Sequence, residues 1–364
     1  MSKAIKSVRW GILGTARIAR KVAAAMHATP TAELTAVASR KADRAAEWAA
    51  EQQVPYSYGS YEELLADEQI EAVYVPLPPS LHAEWSIKAA EAGKHVLCEK
   101  PLAMNADEAE QMVAACARNQ VQLMDATMWV HHPRARDMRR VLDESLGELL
   151  RVTSALTIDL ERYLPRNPTH LAPSDASYSL AEAATWELRL RPDLGGGALG
   201  DLGWYCVRAI LWTFGKLPQR VYGSANWFND VDLRLSALLW FDDDRMASFD
   251  CGYDMAVRKW FEVTGTERSL VCDDFVGPND PDRIRFWTHA PPEAAVEYQS
   301  TNLNQEQCMV QRFCEIVRRG TLDSYWPEVS LANQRVCDAI LQSARSGEIV
   351  DVGVSSYTLS ASPC

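Results

Sequence analysis

The chain has 364 residues, 47% of them hydrophobic and 24% charged, a soluble globular composition whose length implies two domains rather than one core. Its 37 basic against 49 acidic residues give a net charge of −12, which disfavours nucleic acid and anionic membranes as partners. Nine scattered cysteines form no C-x-x-C pair, no apolar run reaches the ~20 residues of a membrane span, and the start has no signal-peptide core. A cytoplasmic protein without a metal site is expected.

Val8 to Leu13 reads as a strand, and Gly14 to Ala19 opens a helix that runs toward Ala28 and stops at Pro30. A second strand covers Leu34 to Ala38, followed by a helix from Lys41 to about Gln53. Ser60 and Glu63 form a capping-box signature, and Ala72 to Leu77 is the next strand. A helix from Ser80 to Gly93, a strand at Val96–Cys98, a helix at Ala106–Arg118 and a strand at Val121–Thr127 complete the series. Short strands alternating with longer helices mean βαβ units and a parallel sheet.

Gly14-x-Ala16-x-x-Ala19 stands where a dinucleotide fingerprint belongs, with Ala16 in place of its second glycine. The unpaired N–H groups and positive dipole of a helix start favour a diphosphate there. The second strand ends in Ser39-Arg40-Lys41, with no carboxylate to bond a ribose 2′-hydroxyl until Asp43. A hydroxyl and two cations suit a 2′-phosphate, so NADP(H) is favoured, with NAD(H) left open. Pro76-Leu77-Pro78-Pro79 makes a rigid wall after the next strand. His82 beyond it reads as readily as a locally packed residue as a ligand-facing one. In His95-Val96-Leu97-Cys98-Glu99-Lys100-Pro101 the apolar strand ends in charge, at the sheet edge where ligands bind in open α/β folds. Pro101 keeps Lys100 out of the helical region, and Lys100 is either a solvated charge or a functional ammonium held at that edge.

Past Pro133 the pattern changes. A helix to Glu144 and a strand from Leu149 to Leu160 lead into a polar stretch, Arg162 to Asp175. Candidate strands then follow without helices between them: Val221–Phe228, Leu233–Phe241, Met246–Tyr253, Lys259–Gly265, Leu270–Asp273 and Arg283–Trp287. Such a run signals a separate α+β domain with an antiparallel sheet. Trp227, Leu239 and Phe249 are expected on an open face of that sheet, and hence at an interface. Helices at Glu306–Arg319 and Leu331–Ser346 precede a serine-rich tail. The expected domains are 1–127, 128–348 and a tail at 349–364.

Gly195-Gly196-Gly197 permits close backbone approach, and Asp201 and Tyr205, four residues apart, share a helix face. A carboxylate and a phenol so placed suit proton handling; a core tyrosine with an acid at the helix dipole fits the same spacing. Trp186 and Arg189 suit a platform and a donor for a polyol, or ordinary packing and a surface charge.

On Gly14-Thr15-Ala16, the Pro76-x-Pro78 loop with Leu81-His82, Glu99-Lys100-Pro101 and Gly195-Gly196-Gly197-x-Leu199-x-Asp201-x-Gly203, the chain resembles the glucose–fructose oxidoreductase/inositol dehydrogenase (Gfo/Idh/MocA) family from end to end. The resemblance implies α/β architecture: an N-terminal Rossmann domain and a C-terminal α+β domain whose open, mostly antiparallel sheet mediates a homodimer or higher homo-oligomer. It implies a cofactor held by Gly14, Thr15, Ala16, Arg17, Ile18, Ser39, Arg40, Lys41, Pro76, Leu77, Pro78, His82, Glu99 and Lys100. Lys100 would be catalytic. Tyr205 after Asp201 is similar to the dihydrodiol and xylose dehydrogenase branch, with Tyr205 as acid/base and Lys100, Trp186, Arg189, Asp201 and Tyr205 around a sugar, polyol or diol. Pro79 stands where the family usually has Asn. The family also contains regulatory members, so a non-catalytic NAD(P)-binding sensor is the alternative.

Overall fold

The structure, a computed structural model, describes residues 6–163, 179–277 and 284–353. Strands β1 (Val8–Leu13), β2 (Ala32–Ala38), β3 (Tyr56–Tyr58), β4 (Ala72–Val75), β5 (His95–Cys98) and β6 (Leu123–Asp125) form an all-parallel sheet. Their order is β3-β2-β1-β4-β5-β6. Strands buried on both faces read as continuous apolar runs, and β4 and β6 are buried throughout. Strand order reverses between β1 and β4, which opens a crevice at their carboxyl ends, the usual ligand site of such a sheet. The edge strand β3 is three residues long with Tyr56 and Ser57 exposed, so it carries no apolar signal and is absent from the sequence reading.

The chain divides into two compact units, and not at residue 127. The first unit comprises the chain through Ala135 together with Leu303–Leu331; the second comprises Arg136–Asn302 and the segment from Ala332. The correction has a physical cause. Helix Gln305–Arg319 lays its apolar stripe on the parallel-sheet unit, with the Phe313 ring 4.9 Å from that of Trp10, both fully buried. Arg318 donates to both oxygens of Glu71, at 3.0 and 2.9 Å, and Gln307 donates to Ala28 O at 2.8 Å.

In the second unit nine strands form one sheet: β7 (Leu149–Asp159), β8 (Arg220–Phe228), β9 (Val231–Trp240), β10 (Met246–Gly252), β11 (Asp254–Gly265), β12 (Ser269–Cys272), β13 (Arg285–His289), β14 (Val296–Gln299) and β15 (Val350–Asp351). The order is β14-β13-β12-β11-β7-β10-β9-β8-β15, and β7–β10 alone is parallel among its pairs. Edge strands β14 and β15 are short and largely exposed, and were not anticipated; β15 falls in the expected tail, whose residues after 353 lie outside the described ones.

Helices Trp204–Phe214 and Tyr325–Ser346 pack on the sheet. A Cβ on Gly223 of β8 would lie 2.6 Å from Ile340 O, and one on Gly203 would lie 3.3 Å from the Phe249 ring. Leu239 and Phe249 therefore belong to this covered, buried face and not to an open one. The alternation Leu235, Ala237, Leu239 points inward, leaving Leu238 and Trp240 half-buried on the other side. Ser248 and Trp260 are half-buried as well. Trp227, 39% exposed at the end of β8, belongs to the helix-covered side and not to an open face: it opposes Asp232, and Arg345 of helix Tyr325–Ser346 lies 5.3 Å from its ring.

Burial alone would raise the Glu71 carboxyl, but hydrogen bonds and charge from Arg318 and Arg9 hold it down at about 2. A depressed folded-state pKa stabilises the fold above the unfolded value of 4.5, and that contribution is lost as pH falls toward 2. With the side chains partly solvated, this amounts to about 1–2 kcal/mol. Urea unfolding of Glu71→Gln across this window should show a flatter acid limb than the unaltered protein; identical limbs would remove the assignment.

Candidate active site

In the first unit the site is built where β1 and β4 end. Gly14 sits at φ +104°, in the region that favours glycine, and a Cβ there would lie 2.9 Å from Leu77 Cδ2 and 3.7 Å from the Tyr61 hydroxyl. The fingerprint turn and the proline loop thus meet at the switch point. Helix Arg17–Ala28 starts at Ala16 with no side-chain cap and no acid in its first turn. By contrast, Ser60 and Asn105 cap helices Tyr61–Ala66 and Ala106–Arg118 by accepting from Glu63 N and Glu108 N. First-turn N–H groups without a side-chain acceptor fit a diphosphate. Thr15, Ala16 and Ile18 are half-buried and Arg17 is exposed; Pro76 and Leu77 are buried, and Pro78 is half-buried.

Ser39, buried at the end of β2, accepts from Lys41 N at 3.4 Å, while Arg40, Lys41 and Arg44 are exposed. Burial raises the Tyr61 phenol, and the charges of Arg40 and Arg44 draw it back. Three cations and two hydroxyls at this strand end fit a 2′-phosphate. Arg44 and Tyr61 were not singled out from sequence, although Arg44 lies one helical turn beyond Arg40.

His82 takes a different part from the one expected. Its ring is fully buried, with its nitrogens 2.8 Å from Pro101 O and 2.7 Å from Leu77 O, and burial lowers its pKa. The ring ties two loops together and is not presented to a ligand. Glu99 is likewise turned inward. Tyr74 donates to its Oε1 at 2.5 Å and Lys100 N donates to its Oε2 at 3.2 Å. Burial raises its pKa, opposed first by the charge of Lys100. Glu99 shapes the turn that carries the half-buried Lys100.

In the second unit the triple glycine lies on the carbonyls of residues 188 and 189. A Cβ on Gly196 would be 2.6 Å from Arg189 O, and Gly197 N donates to Arg189 O at 3.0 Å. Arg189 turns inward too, donating from Nε to Asp201 Oδ2 at 2.7 Å and from Nη1 to Glu187 Oε1 at 2.9 Å. The charge of Asp201 raises its pKa against the effect of burial. Tyr253, fully buried, donates to Gly197 O at 2.8 Å, and its oxygen is 3.2 Å from Asp201 Oδ2. Burial pushes its phenol well up, and Asp201 adds to the rise. Asp201 is therefore held from two sides, and Arg189 is an anchor for it and not a surface charge. Trp186 is half-buried in the turn between this segment and the helix at Leu180–Ala183.

Asp201 lies in a π-helical turn, Leu199–Gly203, that runs into helix Trp204–Phe214. Ten of that helix's eleven residues are buried; Tyr205 is the exception. A core tyrosine would not be left half-exposed on an otherwise buried helix. Among the described residues no group of His, Cys, Asp and Glu is gathered to hold a metal ion.

Residues 8–127 match the oxidoreductase family with an NAD-binding Rossmann fold, GFO/IDH/MocA, and residues 135–271 match the C-terminal domain of the same family. The chain belongs to the GFO/IDH/MocA oxidoreductase family. It is 33% identical over 345 residues to D-xylose 1-dehydrogenase (NADP(+)) 2 of Haloferax volcanii, covering 94% of this chain and 99% of that one. It is 29% identical over 348 residues to trans-1,2-dihydrobenzene-1,2-diol dehydrogenase of Mus musculus, covering 93% and 96%. A 3-ketoreductase from Actinomadura kijaniata, solved in complex with NADP and TDP-benzene, superposes with a TM-score of 0.80 at 29% identity, covering 93% of this chain and 98% of that chain. This member of the family is an NAD(P)-dependent dehydrogenase or reductase.

If Arg40 holds a 2′-phosphate, Arg40→Ala should narrow the preference for NADP(H) over NAD(H) by ~1–3 kcal/mol, the scale of a charge-assisted hydrogen bond. Fluorescence titration with both cofactors measures this. Equal affinities in the unaltered protein would remove the assignment.

Proposed function

We propose that this oxidoreductase moves hydride between NADP(H) and a hydroxyl or carbonyl carbon of a sugar, polyol or dihydrodiol, with Tyr205 as acid/base and Lys100 assisting. One observation carries the reading. Tyr205 is the single residue withheld from burial on its helix, one turn from an Asp201 that Arg189 and Tyr253 hold in place. The xylose and dihydrodiol dehydrogenases it resembles supply the substrate class, and their names as dehydrogenases speak against a non-catalytic sensor. NADP(H) is favoured over NAD(H) by Ser39, Arg40 and Lys41. Cysteine usage, with all eight described cysteines free, supports a reducing cytoplasm.

The nicotinamide, when bound, accepts hydride in the oxidative direction and donates it in the reductive one. The remaining work is moving the hydroxyl proton. A phenol of ordinary pKa, about 10, is a poor base at neutral pH unless a cation stabilises its phenolate. The family resemblance assigns Lys100 the part of that cation and of a donor for the reacting oxygen. Tyr205 takes the substrate's proton in oxidation and returns it in reduction, while Trp186 offers an apolar platform. General acid–base help of this kind is worth roughly 10²–10⁴ in rate.

An NADP(H)-linked screen of aldoses, polyols and diols, run in both directions, tests the activity. Tyr205→Phe should lower turnover by roughly 10²-fold or more with NADPH affinity nearly unchanged, and Lys100→Met should be at least as damaging. Full activity in Tyr205→Phe would overturn the assignment.

Assembly belongs to the same proposal. The sheet face bearing Leu238, Trp240 and Trp260 carries large, half-buried apolar groups, and we assign it to a homodimer or larger oligomer. Light scattering should show more than one chain per particle at micromolar concentration and a shift toward monomer in Trp260→Asp. A monomer throughout would refute it.

A further inference from the structure

Below the glycine turn lies a carboxylate that neither the fingerprint nor the proton chemistry uses. Asp232, near the start of β9, is 4% exposed and accepts from Leu199 N at 2.6 Å. Leu199 N is among the first N–H groups of the helical run that bears Asp201 and Tyr205, whose own cap residue, Ala198, supplies no side-chain acceptor. The fit is close: Gly197 has φ +130°, and a Cβ there would stand 2.3 Å from Asp232 Oδ1. The third glycine is thus explained by the carboxylate it must clear.

Strand register adds a second observation. Along β9 the side chains of Leu235, Ala237 and Leu239 point inward, and by that alternation Asp232 would face out. A bulge between Asn226 and Trp227 shifts the pairing so that Trp227 opposes Asp232, and the carboxylate is turned into the core. An acid brought inside by a bulge to reach one helix start is a specific arrangement, since an apolar residue there would leave that N–H group unanswered.

We propose that Asp232 is a positioning residue: by receiving the N–H group of Leu199 and filling the space beside Gly197 it sets the glycine turn, and through the turn the placement of Asp201 and Tyr205. This rests on the reading of Tyr205 as acid/base. Charged and titratable groups acting on the carboxylate are Arg345 and Cys337 of helix Tyr325–Ser346, with Cys251 and Tyr253 at the end of β10. Burial pushes Asp232 up to about 7, against the hydrogen bonds that favour its ionised form. The Leu199 N–H should therefore meet a full carboxylate only as pH rises through neutrality.

The test uses the full chain. In the unaltered protein, the amide resonance of Leu199 should titrate with a midpoint near neutral pH. In Asp232→Asn that titration should vanish, kcat should fall by about tenfold or more with KM for NADP(H) unchanged, and the neutral inflection in the kcat profile should disappear. An amide that does not titrate in the unaltered protein would overturn the inference even if the variant fails to fold. So would an Asp232→Asn enzyme with the original kcat and pH profile. Tyr205→Phe assayed alongside separates the failures: if it loses turnover while Asp232→Asn keeps it, this inference falls alone, and if it keeps turnover, the acid/base reading falls and this one with it.

Discussion

Helix Trp204–Phe214 is buried on every side but one, and a buried helix cannot leave its opening N–H groups to water. Much of the second unit follows from that constraint. A carboxylate must come from elsewhere in the chain, because Ala198 offers none. Once Asp232 is there, residue 197 has no room for a side chain, and once the turn bends so tightly, Gly196 must lie against the Arg189 carbonyl. Tyr253 closes the arrangement by donating to Gly197 O. The triple glycine is therefore less a flexible loop than a backbone packed on three sides, and its rigidity is what lets Asp201 and Tyr205 keep a fixed relation.

The first unit meets the same problem and leaves it open. Helix Arg17–Ala28 also begins without a side-chain cap from Ala16 and with no acid in its first turn. Its start lies beside Leu77 and Tyr61, with Arg40 and Arg44 acting on the Tyr61 phenol. Cations gathered in place of an acid indicate that the acceptor is to come from outside the chain, in the form of phosphate oxygens. An N-terminus answered internally marks a positioning device, and one left for an anion marks a binding site.

How much of this was legible follows the range of the interactions. The parallel strands and their helices could be read because buried strands are apolar runs and the capping signature of Ser60 and Glu63 is local. Lys100 and the Ser39-Arg40-Lys41 turn stood out because charge at a strand end breaks an apolar pattern. Strands β3, β14 and β15 could not be read, since short edge strands have no apolar face to show. Domain membership of Gln305–Arg319 depends on Phe313 meeting Trp10 some three hundred residues earlier, a match that no local pattern encodes. Asp232 was hidden for a related reason: it falls just before the expected strand Leu233–Phe241, and its inward direction depends on a register shift that leaves Leu233 unpaired. Leu239 and Phe249 were assigned to the wrong face because alternation tells which residues share a side, not which side is covered.

The polar residues divide by exposure into two kinds of work. The buried Glu99, His82, Tyr253 and Asp232 each bond a backbone group or another side chain that shapes a turn. Each is more costly to leave unpaired than it is useful as a free reagent, because desolvation penalises a buried polar group without a partner. Lys100 and Tyr205 are half-buried. A proton can be exchanged with substrate only by a group that substrate can reach, so on the proposed reading chemistry falls to these two and precision to the buried layer. Replacing a buried member should then disturb turnover by displacing a reactive residue it does not replace, which is how a residue far from the reacting atoms comes to matter.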